Sequence, residues 1–272
     1  MRARRVVAGA AVAAAWSLPA LAPLSPAVAA GVRIRRTAAS EAGVALTFDD
    51  GPHLQGTPQV LELLRDAGVT ASFFVVGEQV ARAPALVGEV AAAGHEVALH
   101  GQRHRNQLRL APGEVARDLD RSAACLAEVT GAPPRVYRPP YGIFSPVGLA
   151  LVRRRGLAPL LWSKWGRDWA ARATPAGIAA KVTEGLGPGD VLLLHDADHY
   201  SASGSWQRTV AALPRVLEEI GRLGLRPLTA SEAVWGAQDL SRLEPVAVQP
   251  SAGSTASDGG PAGSSREASQ SM

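Results

Sequence analysis

The chain is expected to fold as a single α/β domain, a distorted (β/α) barrel of about seven parallel strands. Three observations lead there. Short apolar runs alternate with helical patterns, glycine and capping residues punctuate the helices, and unusual polar residues gather at the carboxyl ends of the strands. The runs read as strands are 44–48, 70–75, 96–99, 135–137, 158–162, 191–194 and 225–228. A doubly wound open sheet is the alternative, because periodicity alone cannot separate it from a barrel.

The helices between these runs carry start and stop signals. Thr57-Pro58, Ser145-Pro146 and Thr174-Pro175 each place a capping hydroxyl before a proline at the first helical position. Gly68, Gly94, Gly131, Gly156 and Gly224 stand where helices should end. Cys125, the single cysteine, falls inside a helical pattern over 114–129 and reads as a small apolar residue. A chain with one thiol has no internal disulfide, so packing must hold the fold.

The ends of the chain differ from its middle. Arg2, Arg4 and Arg5 precede an apolar run from Val6 to Leu18, then prolines and the small residues Ala27-Val28-Ala29-Ala30. This is the pattern of a cleaved export signal over 1–30, with an uncleaved N-terminal anchor as the alternative. The apolar run is about 13 residues, short of the ~20 a membrane span needs. Residues 31–42 read as a short basic linker, 43–236 as one folded domain, and 237–272 as a disordered tail rich in Ser, Gly, Ala and Pro.

The formal charge is +4 over 272 residues. Three of the 28 basic residues sit in the first five positions, leaving 25 against 24 acidic ones. A nearly neutral remainder offers no electrostatic motive for nucleic-acid binding.

The chemistry is read at the strand ends. Asp49 and Asp50 are adjacent at the tip of the first strand, where neighbouring side chains point apart and two roles are available. His100 and His104 are four apart, a spacing that one helical turn would bring onto one face for a metal ion. With Asp50 they form a two-histidine, one-carboxylate set that leaves positions open. Arg138 follows the fourth strand, Asp168 lies past the fifth and His195 ends the sixth. His53, His95 and His199 read as structural or rim residues, and Trp162, Trp165, Trp169 and Trp206 as either stacking faces for a ligand or packing.

In this order the pieces resemble the NodB-type polysaccharide deacetylases of carbohydrate esterase family 4, over roughly 43–235. Thr47-Phe48-Asp49-Asp50-Gly51-Pro52, His100 to His104, Arg138-Pro139-Pro140-Tyr141-Gly142, Asp168-Trp169 and Leu193-Leu194-His195 are similar to that family's five motifs in turn. The resemblance implies a NodB homology domain, with Asp49 as general base and Asp50, His100 and His104 as metal ligands. Arg138 would pair with Asp49, and Asp168 with the general acid His195. Tyr141 would offer its backbone N–H to an oxyanion, and Trp169 and Leu193 would line a pocket for an acetyl methyl. Three positions depart from the pattern: Trp165 replaces an aspartate, Gly101 a serine or threonine, and Arg105 a proline.

With the leader pattern, the resemblance implies a secreted or cell-envelope-associated hydrolase with one divalent metal, for which the donor types favour zinc and also fit cobalt, nickel or manganese. Its expected partner is an acetylated amino-sugar polymer, peptidoglycan first and chitin oligosaccharides second. An O-acetyl esterase acting on a polysaccharide such as acetylxylan, and an inactive wall-binding module, are the alternatives.

Overall fold

The computed structural model describes residues 17–39, 43–236 and Asp239. The apolar core of the expected leader and nearly all of the expected tail therefore lie outside the described residues.

The sheet is built on β1 (Gly43–Asp49), buried along its whole length, as is β7 (Val191–His195). Strands covered on both faces need continuous apolar runs, which is why Val44 to Phe48 and Val191 to Leu194 show no alternation. The remaining strands are β2 (Ser72–Val75), β3 (Glu96–Leu99), β4 (Val136–Tyr137), β5 (Ala158–Pro159), β6 (Lys164–Trp165) and β8 (Arg226–Leu228). Every pairing is parallel, in the order β5-β4-β3-β2-β1-β7-β6. β8 pairs with the first half of β1, Gly43 to Ala45. The end strands β5 and β6 do not pair with each other, so the barrel is open on that side.

Helices connect the strands. They are α1 (Pro26–Gly31), α2 (Gly56–Ala67), α3 (Gly77–Val80), α4 (Pro84–Ala92), α5 (Pro112–Thr130), α6 (Pro146–Arg154), α7 (Pro175–Thr183), α8 (Ser205–Arg222) and α9 (Ala230–Trp235). Ser145 caps α6 by accepting from Gly148 N at 3.0 Å, and Thr174 caps α7 by accepting from Gly177 N at 3.1 Å. Thr57 does not cap. It lies inside α2 because its hydroxyl is drawn to the buried Asp196 carboxylate. Cys125 is half-buried within α5, where burial raises its thiol above the usual value. No helix among the described residues is long and apolar enough to cross a membrane.

Two strand expectations change. β6 was not expected, since Lys164-Trp165 has no apolar run; it exists through pairing with Leu192 and Leu193. The run 158–162 is a strand only to Pro159. Beyond it the carbonyls of Leu160 and Leu161 turn to Arg138, and that of Trp162 to Arg36.

Residues 33–38 of the stretch read as a linker lie across the barrel's open side as a strap. Arg35 bridges to Leu160 just after β5, and Thr37 to Asp190 just before β7. Ile34 is buried, and Arg36 Nε donates to Trp162 O at 2.9 Å. In the stretch read as the end of a leader, Ala22 and Ala29 are buried against the domain. Ile34→Ala is therefore expected to lower stability by about 2–3 kcal/mol in urea unfolding, near the low end for a buried isoleucine. An unchanged midpoint would mean the strap does not dock in solution.

Candidate active site

Asp49 ends β1 and meets Arg138, whose Nη1 donates to Asp49 Oδ1 at 2.6 Å and to Thr47 Oγ1 at 2.8 Å. Arg138 is fully buried; its Nε and Nη2 donate to Leu160 O at 3.2 Å and Leu161 O at 3.1 Å. Its guanidinium also lies 4.0 Å from the Phe74 ring centroid. Burial pulls Arg138 below the usual arginine value while the Asp49 charge pulls the other way. A paired buried charge tolerates its surroundings, whereas an orphaned one is costly. Arg138→Met should therefore cost about 3–5 kcal/mol in urea unfolding, because Asp49 loses its partner. Adding Asp49→Leu should recover part of that loss; equal or greater loss in the double variant would show that the ion pair is not the cause.

Asp50 has a positive φ of 78°, a conformation uncommon for residues with side chains, and it turns away from Asp49 toward two histidines. His100 Nε2 and His104 Nε2 lie 3.4 and 3.3 Å from Asp50 Oδ1. Burial acts to raise the Asp50 carboxyl, but the His100 and His104 rings and the charge on His195 outweigh it. Asp50 is held well below the usual carboxylate range. Its Oδ1 is buried without a hydrogen-bond partner.

Asp50, His100 and His104 present donor atoms within 4.8 Å of one another, the one such cluster among the described residues. An ionised carboxylate oxygen lacking a proton donor beside two imidazole nitrogens fits a divalent cation.

The histidines do not share a helical turn, contrary to the spacing argument. They sit on the loop after β3, which reverses at Gly101 with a φ of 89°. Asp118 on α5 pins that loop, its Oδ2 accepting from Gln102 N at 2.7 Å and its Oδ1 from Arg105 Nη2 at 3.2 Å. Arg105, in place of a proline, thus ties the loop down by charge rather than by ring stiffness.

His195 ends β7. Its Nδ1 is 3.0 Å from Asp168 Oδ1, and its backbone N donates to Asp168 Oδ2 at 2.7 Å. Thr209 donates to the same oxygen at 2.7 Å, and Asp168 is fully buried. Burial alone would lower His195, but the charge and hydrogen bond of Asp168, with help from Asp50 and Asp49, push it up to about 10. The adjacent Asp196, used by no motif, is pushed up to about 7 chiefly by burial.

These groups face one cavity of about 310 Å³. Asp49, Asp50, His100, His104 and His195 form its polar side; Tyr141, Trp162, Trp165, Trp169 and Leu193 form much of the rest. Arg138 and Asp168 lie behind, each holding a residue that reaches the cavity. The structure thus brings all ten singled-out site residues together. Trp165, standing where an aspartate is common, adds an aromatic wall edge-on to Trp169 at 5.9 Å between ring centroids. Trp206 instead packs against His53, 5.2 Å between centroids. His53, His95 and His199 engage the backbone at Gly56, Ala71 and Pro52.

Sequence reasoning missed Tyr200 and Ser201, which line the cavity, and Thr47 and Thr209, which hold Arg138 and Asp168. Thr47 was findable, two residues before Asp49 on the same strand face. The others carry no local signal.

Comparison with known proteins shows the family. A family profile described as polysaccharide deacetylase matches residues 36–160. A chitooligosaccharide deacetylase of Bradyrhizobium sp. (strain ANU 289) is 39% identical over 188 residues, covering 66% of this chain and 85% of the relative. The chain belongs to the polysaccharide deacetylase family. A peptidoglycan-N-acetylglucosamine deacetylase of Bacillus cereus (strain ATCC 14579) is 34% identical to this deacetylase, over 70% of the chain and 86% of the relative. Among solved structures, the Bc1960 peptidoglycan N-acetylglucosamine deacetylase superposes with a TM-score of 0.69 at 28% identity, covering 74% of this chain and 92% of that one. The family 4 carbohydrate esterase of Streptomyces lividans in complex with acetate gives 0.62 at 31%, covering 70% and 93%. The open barrel of parallel strands is the fold expected from the sequence.

Proposed function

We propose that this deacetylase is exported and removes N-acetyl groups from an amino-sugar polymer, peptidoglycan ahead of chitin oligosaccharides. The observation that carries the reading is the meeting of two buried pairs, Asp49–Arg138 and His195–Asp168, on either side of the Asp50-His100-His104 cluster in one cavity. Relatives named for both peptidoglycan and chitooligosaccharide deacetylation support the substrate class.

Asp50, His100 and His104 would hold one divalent metal, and the imidazole-carboxylate donors suit zinc, with cobalt, nickel or manganese also compatible. Such an ion, when bound, lowers the pKa of water and polarises a carbonyl oxygen. Asp49, oriented by Arg138, takes the proton from the attacking water. The Tyr141 N–H donates to the oxygen that becomes negative. His195 has its Nδ1 committed to Asp168, which leaves Nε2 to protonate the departing nitrogen as the C–N bond breaks. Acetate and a free amine result, with Trp169 and Leu193 enclosing the methyl.

Export rests on the leader pattern at the N-terminus, and processing at its small-residue run keeps the Ile34–Thr37 strap. The likeness to the Streptomyces lividans carbohydrate esterase favours a second reading, O-deacetylation of a polysaccharide such as acetylxylan.

The test is acetate and amine release with zinc from N-acetylglucosamine oligomers, peptidoglycan fragments and acetylxylan. Matching acetate and amine are expected; acetate without amine would move the assignment to the esterase. Asp50→Ala should lose metal and activity together, while Asp49→Asn should keep the metal and lose roughly 10²–10⁴-fold in kcat. Full activity in Asp49→Asn would remove the general-base role. His195→Ala should slow amide hydrolysis more than that of an activated aryl ester, whose leaving group needs no proton; equal losses would count against an acid.

A further inference from the structure

The two histidines of the cluster are held by different physics. A metal-binding histidine usually donates its second ring nitrogen to a carbonyl or carboxylate, which fixes the ring's orientation. His100 follows that habit, with Nδ1 2.8 Å from Arg138 O. His104 does not. Its Nδ1 is buried and has no hydrogen-bond partner.

What His104 has instead is aromatic contact on two sides. The Tyr200 ring lies parallel to it, 4.3 Å between centroids with 9° between planes. Tyr141 meets it edge-on at 4.5 Å and 64°. Tyr141 is more than half exposed, so it is the weaker support. Tyr200 is fixed at its far end, where its hydroxyl donates to Glu78 Oε1 at 2.7 Å and accepts from Gln79 Nε2 at 2.9 Å.

Both tethers stand on α3, and α3 also holds the histidine loop. Gly77 N donates to Gly101 O and Glu78 N to Gln102 O, each at 2.9 Å. The short helix is therefore a common frame for both halves of the stack. One edge of it fixes the backbone leading to His104, and its side chains fix the ring that covers His104. On the other side, Ala202 N donates to Trp169 O at 3.2 Å, so the loop bearing Tyr200 is anchored to the cavity wall as well.

We infer that Tyr200 is a positioning residue for His104, its ring supplying the orientation that a hydrogen bond supplies to His100. The inference rests on the proposed metal role of the Asp50-His100-His104 cluster. A rotation of His104 about its χ2 axis would swing Nε2 away from Asp50 Oδ1, from which it lies 3.3 Å. The flanking rings oppose that rotation, while Nδ1 has no hydrogen-bond partner to lose. Tyr200 also lines the cavity, with its hydroxyl engaged by Glu78 and Gln79.

The test is zinc affinity of the full chain, measured by competition with a chromophoric chelator on wild type, Tyr200→Leu and Tyr200→Phe. Leucine fills space without a flat face, and phenylalanine keeps the face without the hydroxyl. Tyr200→Leu should bind zinc about 10–100-fold more weakly, the usual loss when the support of a ligand is removed. Tyr200→Phe should stay within about threefold of wild type, an expectation set by retention of the stacked ring in aromatic packing. Thermal unfolding of the metal-free proteins, similar in all three, separates the effect from general loss of fold. Unchanged affinity in Tyr200→Leu overturns the inference, as does a Tyr200→Phe as weak as the leucine variant. Wild type that takes up no zinc overturns the metal reading and this inference with it.

Discussion

A guanidinium with no exposure to water sets the plan of this site. Arg138 can be buried only because its N–H groups are taken by Thr47, Asp49 and the carbonyls of Leu160 and Leu161. Those carbonyls bond Arg138 rather than a neighbouring strand, β5 ends at Pro159, and β5 and β6 stay unpaired with each other. The strap answers the gap, with Leu161 N donating to Arg35 O at 2.8 Å and Arg36 Nε reaching the Trp162 carbonyl. The orientation of Asp49 and the path of the chain beyond β5 thus meet at the same buried charge.

The same residue connects the two halves of the polar cluster. Arg138 holds Asp49 by its side chain and His100 by its backbone carbonyl. The second carboxylate-histidine pair is assembled separately, by β7, the Asp168 loop and Thr209 on α8. Asp49 and His195 thus end two adjacent paired strands, yet each is oriented by its own buried charged partner, Arg138 and Asp168. This suits a reaction in which one group takes a proton and another gives one, because each environment can set its own group's preference.

Departures from the family pattern are absorbed locally. Arg105 and Gly101 belong together: the loop turns back through a positive φ at Gly101, and Arg105 reaches Asp118, which also caps Gln102 N. A Cβ at Gly101 would lie 3.0 Å from Asp118 Oδ2, so the small residue and the acid share one space. Trp165 extends the aromatic wall where a carboxylate is common, leaving Asp168 as the acid hydrogen-bonded to His195 Nδ1.

Strand type and element order were legible because each depends on local signals, and the ten candidate site residues, whose roles the family resemblance implied, line one cavity or lie directly behind it. A doubly buried parallel strand must be an apolar run, and a group needed at the barrel's mouth must follow such a run in sequence. Ser145 and Thr174 were legible as caps for the same reason, since a cap's partner lies three residues away. Thr57 has the same local pattern, yet Asp196, 139 positions on, claims its hydroxyl. The non-helical path between His100 and His104, the shortening of β5, the existence of β6 and the seat of Tyr200 on His104 were decided only when distant segments met. Each rests on a hydrogen bond or ring contact between residues far apart in the chain, whose strength depends on geometry that no window of sequence contains.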